Sequence, residues 1–199
     1  MKQAGAFLAV LFVAAAAFAA EPAADNQKIV KELERTQARF LKSIEGLSEA
    51  QWNFKAAPER WSIAQCAEHI AAAEPMLRGM VADVLKKDPT PEMVKEGIKK
   101  DEMVSAGMLD RTKKFKAPEP LVPTNRFGTP AAAIEAFKKE RAATIALAGG
   151  AGDLRAHADK HFLLGPLDAY GWFLFLSGHS ERHTLQIEEV KADPNFPKN

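Results

Sequence analysis

Apolar positions recur along most of this chain at the spacing of a helix face, and runs with strict strand alternation are absent. Ile29, Leu33, Thr36, Phe40 and Ile44 form one stripe. They predict a first helix from a cap at Asp25 or Asn26 to about residue 45, stopped by Gly46. Ser48-Glu49-Ala50-Gln51 is a capping-box pattern for a short helical turn carrying Trp52, broken by Pro58. A second capping box, Ser62-Ile63-Ala64-Gln65, opens a longer helix to about residue 87. Its stripe reads Cys66, His69, Ala73, Met76 and Met80, with Ile70 and Leu77 beside it, and Pro75 is expected to kink it or end its first half. Residues 88–128 form a long connection punctuated by Pro89, Pro91, Pro118, Pro120 and Pro123, with a short helix expected over 91–105. Thr129-Pro130 caps a further helix that runs through Ile134, Phe137, Ala142, Ile145 and Leu147 to Gly149-Gly150. The last helix follows Gly165-Pro166 and runs to about residue 191, before Pro194. Four main helices and no strands predict an all-α fold, a helical bundle.

The last helix carries the most informative positions. At about 100° per residue, positions 172, 176, 179, 183, 186 and 190 share one face. His179 and His183 therefore lie one turn apart on a core-facing stripe, with Gln186 next along it. An i, i+4 pair can aim two imidazoles at one point. His69 sits on the core stripe of the second long helix by the same test. Imidazoles on core stripes are costly unless their nitrogens are satisfied, either by hydrogen bonds to the backbone or by a metal ion. Neutral imidazole suits Zn, Ni, Fe and Cu, and three protein ligands leave open positions. His157 and His161 share the same spacing but lie among Gly149, Gly150, Gly152 and Gly165, so they are read as loop residues at the rim. Cys66 is read as a small buried hydrophobe. Glu68, Glu74 and Glu181 flank the histidines but point off their stripe, and only Glu74 is placed to swing inward beside Pro75. Arg182, at the stripe's edge, could pair with a glutamate or hold an anionic group.

The first residues follow a different pattern. Lys2 precedes an uninterrupted apolar run from Phe7 to Ala14, and Ala17-Phe18-Ala19 offers small residues. That layout predicts a cleavable signal peptide over residues 1–19, leaving a domain of residues 20–199 in the periplasm or secreted. The run is short for a membrane span, which needs about 20 apolar residues, so no stable membrane insertion is expected after cleavage. Loss of Lys2 from the chain's 27 basic residues leaves 26 of each sign. With no basic cluster interleaved with aromatics, no nucleic-acid partner is expected. The single Cys66 cannot form an internal disulfide.

Three segments resemble a known family. Trp61-Ser62-Ile63-Ala64-Gln65-Cys66-Ala67-Glu68-His69-Ile70, preceded by Leu47-Ser48-Glu49-Ala50-Gln51-Trp52, is similar to the second-helix motif of DinB-like proteins, the superfamily that includes YfiT-type metal-dependent hydrolases. His161-Phe162-Leu163-Leu164-Gly165-Pro166-Leu167 resembles its downstream loop, with Phe162 where Pro is usual, and His179-Ser180-Glu181-Arg182-His183-Thr184-Leu185-Gln186-Ile187 resembles its last helix. The resemblance spans roughly residues 26–192. It implies a four-helix bundle wound up-down-down-up and a divalent ion (Zn, Ni or Fe) held by His69, His179 and His183. It implies a hydrolase, or a transferase acting on a thiol or other small group, with a small-molecule substrate. His161, Arg182 and Gln186 are then candidates to orient substrate or the ligands. A non-catalytic metal- or small-molecule-binding module is the alternative, and the chain could form a homodimer.

Overall fold

A computed structural model describes residues 24–198. The expected signal peptide over residues 1–19 lies outside the described residues. The elements are α1 (Ala24–Ser43), α2 (Glu49–Asn53), α3 (Ile63–Val84), α4 (Pro91–Ile98), α5 (Asp101–Leu109), a 3-10 turn (Glu119–Leu121), α6 (Pro130–Gly150), β1 (Ala158–His161), β2 (Gly165–Asp168) and α7 (Ala169–Lys191). No helix among the described residues is long and apolar enough to cross a membrane.

Several helices start where side chains supply caps. Ser48 and Ser62 each accept from the third backbone N–H of α2 and α3, while Gln51 and Gln65 reach back to the cap, so both capping boxes form as the spacing predicts. Thr129 caps α6 through the Ala132 N–H, with Pro130 at its first position. Asn26 works at the other end of α6: its amide donates to the carbonyls of Ala148, Ala151 and Gly152 at 2.9, 2.9 and 3.2 Å. It thereby takes up carbonyls that the helix end leaves without partners.

α1, α3, α6 and α7 make the four-helix bundle. α1 packs against α6 and α7, and α3 packs against the same two, so α1 and α3 occupy opposite corners. α7 is the central element, buried on nearly every side from Gly171 to Thr184. Pro75 neither ends nor divides α3, which runs through it.

The α6 core face differs from the apolar reading. It is formed by Ala133, Phe137, Arg141, Thr144 and Ala148, while Ala142 is exposed. Arg141 is fully buried and pairs with Glu74 of α3 through two bonds of 2.8 Å. It also donates to the Leu33 carbonyl, Thr36 Oγ1 and Ser180 Oγ at 3.1, 2.9 and 2.6 Å. Thr144 donates to Glu74 at 2.7 Å, and Thr36 meets Ser177 at 3.0 Å. One satisfied polar network thus touches all four bundle helices. Glu74 points into it and away from the histidines.

The connection over 88–128 carries two helices rather than one. α5 lies against α7, and a β-carbon on Gly178 would stand 2.8 Å from the Met108 side chain. α4 lies against β2, and a β-carbon on Gly97 would stand 2.5 Å from the Asp168 nitrogen. Both contacts require glycine.

The region expected to be loop contains an antiparallel hairpin, with Ala158 opposite Asp168 and His161 opposite Gly165. Gly165 adopts φ +70, which closes the three-residue loop of Phe162, Leu163 and Leu164. His161 therefore ends a strand and is buried, contrary to its expected place at the rim. Arg155 clamps this end of the fold. It bonds Asp25 of α1, Asp101 of α5 and Asp168, which caps α7, at 2.9, 2.8 and 2.8 Å, and lies 3.7 Å over the Tyr170 ring.

Candidate metal centre

α3 and α7 cross where their histidines face each other. His69, His179 and His183 each offer a ring nitrogen, and these atoms lie within 4.8 Å of one another. The ring centroids are 5.0, 4.4 and 4.7 Å apart, and His69 Nε2 stands 3.1 Å from His179 Nε2. His69 and His183 are buried, while His179 is partly open to solvent.

Two of the three rings are oriented by their other nitrogen. His69 Nδ1 lies 2.8 Å from the Leu121 carbonyl, which can only accept, so this nitrogen carries the proton and Nε2 presents its lone pair. His183 Nδ1 lies 3.0 Å from the Gln186 amide oxygen, one turn further along α7, which favours the same tautomer. Burial pushes all three pKa values below the ordinary histidine range; for His179 and His183 the neighbouring histidines press in the same direction. At neutral pH the centre is a cluster of uncharged imidazoles, the form that binds metal. Trp61 walls one side, its ring 4.9 Å from His69 and stacked 6.0 Å from His183.

The residues fit a divalent ion. Zinc–imidazole bonds of about 2.0–2.1 Å would place the ligand nitrogens a little over 3 Å apart, within the range found here. The oriented tautomers aim nitrogen lone pairs, and no cation, at the shared point.

Among the described residues, no acidic side chain joins them. Glu68, the neighbour of His69, turns outward and accepts from the backbone N–H groups of Thr124, Asn125 and Arg126 at 2.8, 2.8 and 3.2 Å, and from Arg126 Nε at 3.1 Å. Asn125 has φ 63, so successive N–H groups turn toward one anion, a backbone nest. Burial alone would raise the Glu68 pKa; the N–H groups and the guanidinium outweigh it and hold the carboxyl below its ordinary value. This nest fixes the segment that follows Leu121, whose carbonyl orients His69. Glu181 pairs with Arg35 and Arg39 of α1.

Arg182 is engaged by the backbone of the α5 region. Its guanidinium donates to the carbonyls of Met108, Asp110 and Lys113, fastening the end of α5 to α7, with Phe115 5.3 Å above it. Cys66 is fully buried in apolar surroundings, which push its thiol up to about 12, and it has no place among the facing nitrogens. His161 packs against Trp172 and Phe175 of α7, on the turns before His179. The wall made by Trp61, the Leu121 carbonyl on His69 and the backbone nest that holds Glu68 are what sequence reasoning missed around the centre. The Trp61 position in the second-helix motif was the one available signal.

A four-helix bundle with a three-histidine centre between two of its helices defines the class. The chain belongs to the DinB superfamily, whose profile matches residues 32–187. It is 25% identical over 155 residues to YuaE of Bacillus subtilis (strain 168), covering 74% of this chain and 88% of that one. Among solved structures it is similar to YfiT from Bacillus subtilis, described as "a probable metal-dependent hydrolase with an unusual four-helix bundle topology". That likeness has a TM-score of 0.58 at 13% identity and covers 86% of this chain and 89% of YfiT. At this identity the likeness establishes the fold.

Proposed function

We propose that this chain is an exported metal-dependent hydrolase in which His69, His179 and His183 hold one divalent ion, Zn, Ni or Fe. The observation that carries the reading is the convergence of three uncharged imidazoles within 4.8 Å, with the Nδ1 protons of His69 and His183 turned away from the shared point. When bound, such an ion supplies a Lewis acid that polarises an electrophile and lowers the pKa of water. The partly open edge of His179 is the approach for substrate. Leu121 and Gln186 hold the ring orientations, and Trp61 excludes water from one flank.

The same centre could activate a thiol instead of water, making the chain a small-group transferase; product analysis with and without added thiol separates the two. A non-catalytic binding module is favoured by one observation: Glu68, Glu74 and Glu181, which flank the histidines, are each already engaged by basic residues, so none of these three is placed as a general base. Export rests on the apolar run after Lys2 and predicts a mature N-terminus at Ala20, which intact mass of secreted or periplasmic protein would reveal. The up-down-down-up winding is supported by residue pairs. Asn26 meets Ala148 where Leu33 meets Arg141, so α1 and α6 run oppositely. Thr36 meets Ser177 where Ser43 meets Lys191, so α1 and α7 run together.

Elemental analysis of protein never exposed to nickel resin tests the centre. The expected result is about one ion per chain, lost in His183→Ala with helicity retained. It should be accompanied by ester or amide hydrolysis that a chelator removes and the ion restores. One-to-one binding retained in His183→Ala, or no uptake of zinc, nickel or iron, would overturn it.

A further inference from the structure

The large apolar side chains left exposed among the described residues are Ile98, Met103, Leu109, Phe115, Val122, Phe162 and Leu163. None of the seven belongs to a bundle helix. Five lie on the 88–128 connection, and two lie at the tip of the hairpin. Lys100 ties these two regions together, its Nζ donating to the Leu164 and Pro166 carbonyls at 2.9 and 3.1 Å. α5 turns Val104 and Met108 toward α7, so Met103, Ala106 and Leu109 occupy the opposite arc and are exposed, with Glu102 among them. Concentrated exposed apolar surface of this kind marks a contact site.

Charge sets the character of that surface. Shortly after α5 the chain reads Lys113-Lys114-Phe115-Lys116, all four exposed, with Phe115 62% so. A short basic cluster with an aromatic inside it is thus present after all. Lys113 comes within 4.0 Å of Asp110, and among the described residues no carboxylate pairs with Lys114 or Lys116. The run is fastened where it leaves α5. Arg182 holds the carbonyls of Met108, Asp110 and Lys113, and Arg111 makes two bonds of 3.0 Å to Glu189 of α7. Three ammonium groups and one apolar ring therefore stand within four residues of each other, beside the outward arc of α5.

We propose that the surface from Met103 to Lys116 docks on a lipid bilayer that carries anionic phospholipid. Phe115 and Leu109 enter the boundary between headgroups and acyl chains, and Lys113, Lys114 and Lys116 meet the headgroup phosphates. A nucleic acid would satisfy the lysines and leave Met103 and Leu109 in water; an anionic bilayer takes up both. Such docking is peripheral and needs no spanning helix. The same run of chain leads to the metal centre, because Leu121, five residues beyond Lys116, orients His69 and Arg182 precedes His183. Docking itself requires no ion at that centre.

The test is flotation of the mature chain, its N-terminus established by intact mass, with vesicles of phosphatidylcholine alone or mixed with phosphatidylglycerol. The expected result is binding to the mixed vesicles, little to phosphatidylcholine alone, and release at high salt. Lys113→Gln with Lys114→Gln and Lys116→Gln should weaken binding about a hundredfold, from about fivefold for each lysine near an anionic surface. Phe115→Ser should weaken it about five- to tenfold, with circular dichroism unchanged in both variants. Lys31→Gln with Lys42→Gln and Lys139→Gln removes the same charge from exposed positions of α1 and α6 and should bind nearly as the parent does. His183→Ala should also bind as the parent does, so failure of the metal reading and failure of this one give different results. Equal binding to both kinds of vesicle, no binding at low salt, or parent-like binding by the 113/114/116 variant or by Phe115→Ser would overturn the proposal. So would an oligonucleotide that binds more tightly than the vesicles.

Discussion

Replacing Arg141 by Met tests whether the bundle depends on its buried ion pair. The guanidinium is fully buried and engages Glu74 twice, with three further acceptors on α1 and α7. Met fills similar volume without charge, so little of the loss would come from packing. It leaves the Glu74 carboxylate, itself 2% exposed, with only the Thr144 hydroxyl for company. Removing one partner of a buried pair costs about 3–5 kcal/mol, because the remaining charge stays buried and uncompensated. Against a total stability of about 5–15 kcal/mol, that is a large share. For a domain of this size each kcal/mol moves Tm by about 2–4 °C, giving an expected fall of about 6–20 °C. The assay is thermal and urea unfolding followed by circular dichroism, with the urea midpoint lowered and its slope unchanged. Glu74→Leu combined with Arg141→Met removes both charges and should recover most of the loss, since apolar replacement of a whole buried pair is often neutral or stabilising. A single variant within about 1 kcal/mol of the parent would refute the uncompensated-charge reasoning, as would a double variant no better than the single one.

Glu68→Ala removes the anion from the 124–126 nest, frees the segment after Leu121 and should weaken metal binding about 10–100-fold without loss of helicity, as measured by competition with a chelator. Unchanged affinity would show that the nest does not govern His69. His161 should make stability fall with acidity: burial lowers its pKa from 6.5 to about 4, so between those values the unfolded chain holds a proton that the folded chain does not. Its contribution is complete above pH 6.5 and lost as pH drops toward 4; urea midpoints of the parent and His161→Phe that run parallel over this window would contradict it. Cys66, buried with its thiol pushed up to about 12, should resist alkylation in the native protein and react at once when unfolded, and rapid native labelling would count against its burial.

The three histidines were legible because each stands on a stripe whose other members are mostly apolar, so helical periodicity brought them to the bundle interior. What surrounds them was not. Glu68 does point off the histidine stripe, as its helical position says. Its partners, however, lie more than fifty residues away in a proline-rich segment that no local pattern places. Arg141 defeats the periodic reading of α6 for a similar reason: a charge takes a core position only because Glu74, 67 residues earlier, meets it there. The hairpin escaped notice because Ala158–His161 and Gly165–Asp168 contain none of the β-branched residues that mark strands. The packing of the neighbouring helix α4 against β2 holds them instead. Arg182 stands at the edge of the right stripe, as periodicity says, but its three carbonyl partners in the α5 region lie about 70 residues earlier, where no local pattern places them.

The corner arrangement of the helices bears on how the molecule is made. α1 and α3, the first two long helices to leave the ribosome, sit diagonally and bury little against each other, and both lean on α7. Because α7 follows the other three, one of the two helices that α1 packs against is missing until residues 169–191 are available. A chain stopped before that point should remain open and susceptible to protease, and folding should begin from α3 with α6. Assembly thus waits for the C-terminal helix, and the stretch that brings two of the three histidines is also the one that completes the fold.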